Sequence, residues 1–196
     1  MTEAEMVAQI KRQLREAGES VWQRYPLPGQ PPSFRTAPQA SQNVLSLFGG
    51  PILVARDASL RWMKEAVLIA GRVLVVPDRS SQDLYQVPSS AMKGGVLRLD
   101  GAEGVPYHGT ATAVVVGCLA FDPQSRRLYG FDGGQSENLL SQLDELLPTC
   151  RPMVVCLASD AQQVCGWPES AQTHWADVVV TATRLISLGT GETEMF

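Results

Sequence analysis

Apolar positions change period several times along this chain, and each change predicts an element. Met6, Ile10, Leu14 and Val21 recur near helical spacing behind Thr2-Glu3-Ala4-Glu5, a hydroxyl followed three residues later by an acid. Such a capping box predicts an amphipathic helix over about 3–23. Tyr25-Pro26-Leu27-Pro28-Gly29-Gln30-Pro31-Pro32 is too rich in proline for helix or central strand and predicts an ordered surface arm. A second helix is expected over about 38–48, closed by Gly49-Gly50. Next come the short run Ile52-Leu53-Val54-Ala55, a helix capped by Asp57 or Ser59 that ends at Gly71, and the run Val73-Leu74-Val75-Val76. Continuous rather than alternating apolar runs are what parallel strands covered on both faces require.

The middle, about 78–111, is rich in Ser, Gly and Pro, with Val96 to Leu99 readable as an edge strand. Ala113 to Leu119 carries the strongest strand pattern, and Asp122-Pro123-Gln124-Ser125 makes a turn. A helix over about 136–147 leads to a strand at Met153–Leu157. Val178 to Thr181 reads as the last strand, and the tail from Gly189 reads as loose. This order predicts one α/β domain over 1–196, with a mostly parallel central sheet, helices on both faces, and a proline-rich arm at 24–36.

Composition narrows the class of partner. The 196 residues carry 16 basic and 20 acidic side chains, a formal net charge of −4, and the basic ones form no run or stripe. A nucleic-acid groove needs clustered cations to displace counterions, so no nucleic-acid partner is expected. No run approaches the length that spans a bilayer, and the acidic, amphipathic N-terminus does not read as a secretory leader, so no membrane role is expected. The four cysteines, Cys118, Cys150, Cys156 and Cys165, form no CxxC pair and no zinc spacing. Cys118 and Cys156 sit inside apolar runs, where a thiol behaves as a small hydrophobe, so buried, reduced cysteine and a cytoplasmic location follow as expectations.

Few residues suggest chemistry. Lys11 and Arg15, four apart, share one helix face. They either flank an anion or belong to a solvated face partnered by Glu16 and Glu19. Leu128 to Ser136 is a glycine-rich turn between a strand and a helix, matching neither the P-loop nor the dinucleotide fingerprint. It is either a plain turn or a set of backbone amides for a phosphate. Asp160-Ala161-Gln162 directly follows a strand, where ligands of open α/β sheets bind, and Asp177 and Thr181 flank the last strand. Either pair also suits a turn cap. His108 and His174 stand without an acid or cysteine at a telling distance, and no nucleophile elbow or metal cluster is visible.

In order, these blocks resemble the 5-formyltetrahydrofolate cyclo-ligase family, also called methenyltetrahydrofolate synthetase. Lys11-Arg12-Gln13-Leu14-Arg15 fits the family's opening helix pattern K-x-x-L-R. Val114 to Asp122 followed by Arg127-Leu128 looks like its strand, turn and R-L block. Asp160-Ala161-Gln162, Trp167-Pro168 and Ala176 to Thr181 are similar to its later blocks, the last to V-D-x-x-x-T. The arm Pro32-Ser33-Phe34 and the triplet Ser41-Gln42-Asn43 look more like the divergent branch of synthetase-domain-containing proteins. The glycine loop departs from the family's G-x-G-x-G-Y-Y-D: both tyrosines and the aspartate are absent, and Asp132 stands near the place of a basic residue.

The resemblance implies a Rossmann-like three-layer domain and an ATP-dependent ligase. In that chemistry the formyl oxygen on N5 attacks the γ-phosphate of ATP, N10 captures the iminium phosphate, and phosphate leaves as the ring closes to 5,10-methenyltetrahydrofolate. It implies Lys11 and Arg127 as catalytic cations, and Lys11, Arg15, Arg127, Gly130, Gly133, Gly134, Asp160 and Gln162 as nucleotide-binding residues. Asp132 and Glu137 would be ligands for Mg²⁺, and the partner would be a reduced folate or similar small molecule. Oligomeric state is left open. The altered loop keeps two other readings in play: the same fold using ATP on a different substrate, and a non-catalytic descendant that binds a folate, a nucleotide or a protein.

Overall fold

The computed structural model describes residues 2–20, 32–78, 83–99, 104–130, 135–165, 173–188 and 193–196. Of the proline-rich arm at 24–36, residues 24–31 lie outside the described residues, and in the rest Phe34 is buried.

Thr2 forms the expected capping box and opens α1 (Glu3–Glu16). The helix stops well short of the predicted 23. Gly18 adopts φ +68° and lets the amides of Glu19 and Ser20 turn back onto the Leu14 carbonyl. This left-handed glycine satisfies the terminal carbonyl and ends the helix. Helix α2 (Ala37–Leu47) matches the prediction closely. Strand β1 (Ile52–Val54) is followed by a 3₁₀ turn at Ala58–Leu60 and α3 (Arg61–Ile69), then β2 (Leu74–Pro77).

The poorly readable middle holds β3 (Leu84–Val87), the short pair β4 (Met92–Lys93) and β5 (Val96–Leu97), and β6 (Val105–Pro106). The expected edge strand near Val96 thus belongs to a separate two-stranded sheet. It is tied to α3 by the Leu97 amide donating to Glu65 Oε1 at 3.1 Å. Strand β7 (Ala113–Gly117) leads into the hairpin of β8 (Ala120–Asp122) and β9 (Arg127–Tyr129). The helix predicted over 136–147 is broken at Gln142 into α4 (Gln135–Ser141) and α5 (Leu143–Leu146). Strand β10 (Met153–Leu157) precedes β11 (Thr173–His174) and β12 (Val178–Val180).

Val178 to Val180 is not the last strand. Two more follow, β13 (Arg184–Ser187) and β14 (Thr193–Met195), paired antiparallel. The tail read as loose carries a strand over 193–195. A backbone ladder holds it, not an apolar run, so hydropathy gave no signal for it.

The main sheet has nine strands in the order β14-β13-β12-β10-β7-β1-β2-β3-β6. Its five central strands, β12, β10, β7, β1 and β2, are parallel, and two antiparallel strands extend each side. Ile52, Leu53, Val54, Ala113 to Val116 and Val154 to Cys156 are fully buried, as strands covered on both faces must be. Helices α2 and α3 pack on each other and on this parallel centre, giving a mixed α/β fold. The Asn43 side-chain amide fixes α2 to the end of β12 by donating to the carbonyls of Thr181 (3.0 Å) and Ala182 (3.1 Å).

Candidate functional site

Along the parallel centre the chain order reads β2-β1-β7-β10-β12, so successive connections leave β1 in opposite directions. The split between β1 and β7 is a topological switch point, and ligands of open α/β sheets lie outside the carboxyl ends of the strands there. Asp57 emerges from β1 and Gly117 ends β7. Ser136, in the first turn of α4, reaches between them. Its Oγ accepts the Gly117 N–H at 2.9 Å and donates a short hydrogen bond to Asp57 Oδ2. Lys64 comes up from α3 and donates Nζ to the Asp57 carbonyl at 2.9 Å.

All three polar side chains are buried. Burial pushes the Asp57 carboxyl above its ordinary pKa, against the opposing pull of the Ser136 hydrogen bond and the Lys64 charge. Burial likewise lowers Lys64 to about 8, although Asp57 pulls it back up. Among the described residues Asp57 Oδ1 and Ser59 Oγ are buried without a hydrogen-bond partner. A buried acceptor left bare in this way is costly and fits a donor supplied by a ligand. In the sequence Asp57 is legible only as a helix cap, and Lys64 and Ser136 carry no local signal of a role. Asp57 and Ser136 are 79 residues apart, and no local pattern joins them.

The exit of β10 is different. Asp160 Oδ1 accepts from Thr181 Oγ1 (2.9 Å) and Arg184 Nε (2.7 Å), and Oδ2 accepts from Thr183 Oγ1 (2.9 Å). Gln162 is buried, donating Nε2 to the carbonyls of Cys118 (2.7 Å) and Leu119 (3.1 Å) and accepting from the Ser159 amide. Both expected nucleotide-binding residues thus have their polar atoms engaged by the protein itself.

The glycine segment spans two environments. Exposed Arg127 opens β9 opposite Asp122, whose carboxylate holds the Gln124 amide (3.0 Å) and the Ser125 hydroxyl (2.8 Å) of the turn. Gly130 lies past the other end of β9, roughly 10 Å along the strand from Arg127. A Cβ on Gly130 would stand 2.9 Å from His174 Cδ2, so glycine is what lets the ring approach. His174 Nε2 lies 3.5 Å from Glu137 Oε1. The histidine read as lacking an acid therefore has one, supplied from 37 positions away by the pairing of β11 with β9. Asp132, Gly133 and Gly134 lie outside the described residues.

On α1 the stripe Met6, Ile10 and Leu14 is buried, and Lys11 and Arg15 are exposed. Lys11 borders a hollow with Ala4, Val7 and Ala8. Glu19, one of the two acids offered as a partner for these cations, accepts instead from the Thr36 amide and hydroxyl at 2.9 Å each. Helix α1 packs against the Asp160–Gln162 turn, which places Lys11 and Arg15 on an element at the carboxyl side of the sheet. Among the described residues no hydrogen bond or ion pair joins Lys11, Arg15 and Arg127. None of them holds three or more metal-ligating side chains together, and no helix is long and apolar enough to cross a membrane.

An open α/β domain with a polar, incompletely satisfied switch point is the class these features define. Its fold is shared with the 5,10-methenyltetrahydrofolate synthetase of Aquifex aeolicus, whose NMR structure aligns at a TM-score of 0.61 and 21% identity. The alignment covers 96% of this chain and 93% of that one. The fold implied by the sequence resemblance is therefore the fold observed. The decarboxylase AibA/AibB aligns at a TM-score of 0.46 and 12% identity over 82% of this chain and 76% of that one, a likeness too loose to inform function. No family model matches the chain, and no curated protein matches it significantly.

Proposed function

We propose that this protein is an ATP-dependent cyclo-ligase that closes 5-formyltetrahydrofolate to 5,10-methenyltetrahydrofolate. The observation that carries the reading is the bare, buried Asp57 Oδ1 at the β1/β7 switch point, on a fold shared with a synthetase of that product. A buried carboxylate suits a ligand edge crowded with N–H donors, as the aminopyrimidinone ring of a reduced folate is. Lys64 supports Asp57 from below, and Ser136 fixes its other oxygen.

Lys11 and Arg127 are the catalytic cations of this reading, with Arg15 beside them. Phosphoryl transfer asks the protein chiefly for alignment and positive charge around the moving group. Gly130, Gly133 and Gly134 supply backbone amides to the phosphates. Asp160 and Gln162 act at one remove, holding the β10 exit and the β7–β8 link against which α1 is seated. Mg²⁺, where bound, neutralises phosphate charge. Asp132 and Glu137 are its candidate ligands.

A coupled assay tests the proposal: purified protein with 5-formyltetrahydrofolate, ATP and Mg²⁺, followed by methenyl absorbance. Turnover is the expected result. ATP binding without turnover would move the protein to the reading in which the same fold serves another substrate. Absence of both would leave a non-catalytic binding protein. Lys11→Glu should weaken ATP binding at least about tenfold, the loss of one charge-assisted contact. Its thermal unfolding should be unchanged because the side chain is exposed. Equal affinity in the variant removes Lys11 from the site.

A further inference from the structure

We infer that the outer face of α3 and the β4–β5 hairpin is a docking surface for an anionic lipid bilayer, on which the protein rests without spanning it. Trp62 and Ile69 stand two turns apart on one side of α3, 45% and 74% exposed, with exposed Arg61 beside them. In the hairpin Lys93 pairs with Val96, so both point to the face opposite Met92 and Leu97, which pack toward the core. The Arg98 amide continues the ladder by donating to the Ala91 carbonyl at 3.0 Å, and alternation sets Arg98 on the side of exposed Val96. Glu65 fastens the two pieces together: its Oε1 accepts from Arg61 Nε at 2.7 Å and from the Leu97 amide at 3.1 Å.

Charge selects the occupant. The chain carries a net −4, yet Glu65 is the only acid within 61–69 and 92–98, and it is buried. Every exposed ionic group of these two elements is therefore a cation. Such a face repels a second copy of itself and attracts a negative surface. Its extent selects among negative surfaces. Arg61, Trp62, Ile69, Lys93, Val96 and Arg98 fall well short of the roughly 20–30 residues a side that a stable protein interface uses. A bilayer sets no such threshold. Each cation near anionic headgroups adds its own attraction, and an indole with aliphatic neighbours settles at the headgroup boundary. Screening over about 8 Å limits the repulsion from acidic groups on other faces. The sequence predicts no membrane role because its cations form no run; Arg61 meets Lys93 and Arg98 only once the hairpin is docked on α3. The surface requires neither ATP nor folate, so its failure leaves the cyclo-ligase reading standing.

Co-sedimentation of the full chain with phosphatidylcholine vesicles, with and without phosphatidylserine, tests the surface. Binding to the serine-containing vesicles is expected, fading as salt is raised, with little binding to phosphatidylcholine alone. Lys93→Gln and Arg98→Gln, at exposed positions that leave the fold intact, should each weaken it about fivefold, the loss of one cation at the surface. Arg126→Gln removes an equal charge from the β8–β9 turn and should leave binding unchanged. Trp62 emission should move to shorter wavelength on binding, a shift missing from Trp62→Phe. Absence of binding to either vesicle overturns the inference. So does binding that ignores Lys93 and Arg98, or that falls equally with Arg126. Polyglutamate held through Lys93 and Arg98 by a protein that ignores vesicles overturns it in favour of an acidic protein partner.

Discussion

Two strand exits of one sheet, on either side of β7, treat their polar groups in opposite ways. At the end of β10, Asp160 and Gln162 gather donors and carbonyls from the β12–β13 turn and the β7–β8 link until their polar atoms are engaged. At the end of β1, Asp57 is deeper, fixed on one oxygen by Ser136 and bare on the other, with a buried Lys64 ammonium below it. The first arrangement stabilises the fold and leaves nothing over. The second lowers stability and leaves an acceptor ready, as expected of a site whose last partner is a ligand. Proximity to a strand end alone therefore does not separate ligand-ready groups from satisfied ones; under the proposed function it is incomplete satisfaction at the topological switch that marks the site.

The comparison is broken most forcefully at Gln162. Gln162→Leu keeps the volume but abandons the carbonyls of Cys118 and Leu119 and the amide of Ser159 in a dry environment. Unpaired buried groups cost about 1–3 kcal/mol each, so a loss on the order of 4 kcal/mol is expected in denaturant unfolding. A loss below ~1 kcal/mol would mean that the β10 exit is not the structural clamp described here.

Lys64 sharpens the contrast from the other side. Its pKa falls from 10.5 to about 8 on folding, so the unfolded chain binds this proton more readily than the native one. Where the unfolded state holds more protons, stability rises with pH. The penalty is thus full below about 8 and disappears as pH climbs from about 8 to about 10.5, a span of about 3 kcal/mol. Tyr107 and Cys156 are raised by burial and also titrate in alkali, so the measurement is the difference between wild type and Lys64→Met. Urea midpoints of the two should converge as pH rises, with the methionine variant the more stable near pH 7. Parallel curves would show that Lys64 is not charged and buried in the way its position implies.

What the sequence disclosed follows the same physical line. Ile52 to Val54, Ala113 to Gly117 and Met153 to Leu157 were legible because strands buried on both faces leave an unbroken apolar run. Leu84–Val87, Arg184–Ser187 and Thr193–Met195 were not, because these outer antiparallel strands are held by backbone ladders and carry no unbroken buried apolar run. The first helix was legible at its start, where the capping box is local, and misjudged at its end, where Gly18 intervenes. Site residues fared worse for a plain reason. The links from Asp57 to Ser136 and from Glu137 to His174 exist only after strands have paired, and neither pair leaves a local trace. Asp160 and Gln162 stood out because they follow a strand directly, a position that serves turns as readily as ligands.

The two smallest expected effects on stability, at Asp160 and then at Asp57, are also the most direct test of which exit binds substrate. Asp160→Ala removes the acceptor of Thr181, Thr183 and Arg184 hydrogen bonds at a partly exposed position, and should cost roughly 2 kcal/mol after solvent screening. Under conditions where the variant stays folded, its KM for a reduced folate should match the wild-type value. Asp57→Asn should do the reverse. Relief of a buried carboxylate offsets the lost attraction to Lys64, so stability should change by less than about 1 kcal/mol. The amide presents a donor where the substrate needs an acceptor, and KM should rise at least tenfold. If KM instead follows Asp160 and ignores Asp57, the ligand sits at the β10 exit, and the bare oxygen at the switch point is a tolerated defect of packing.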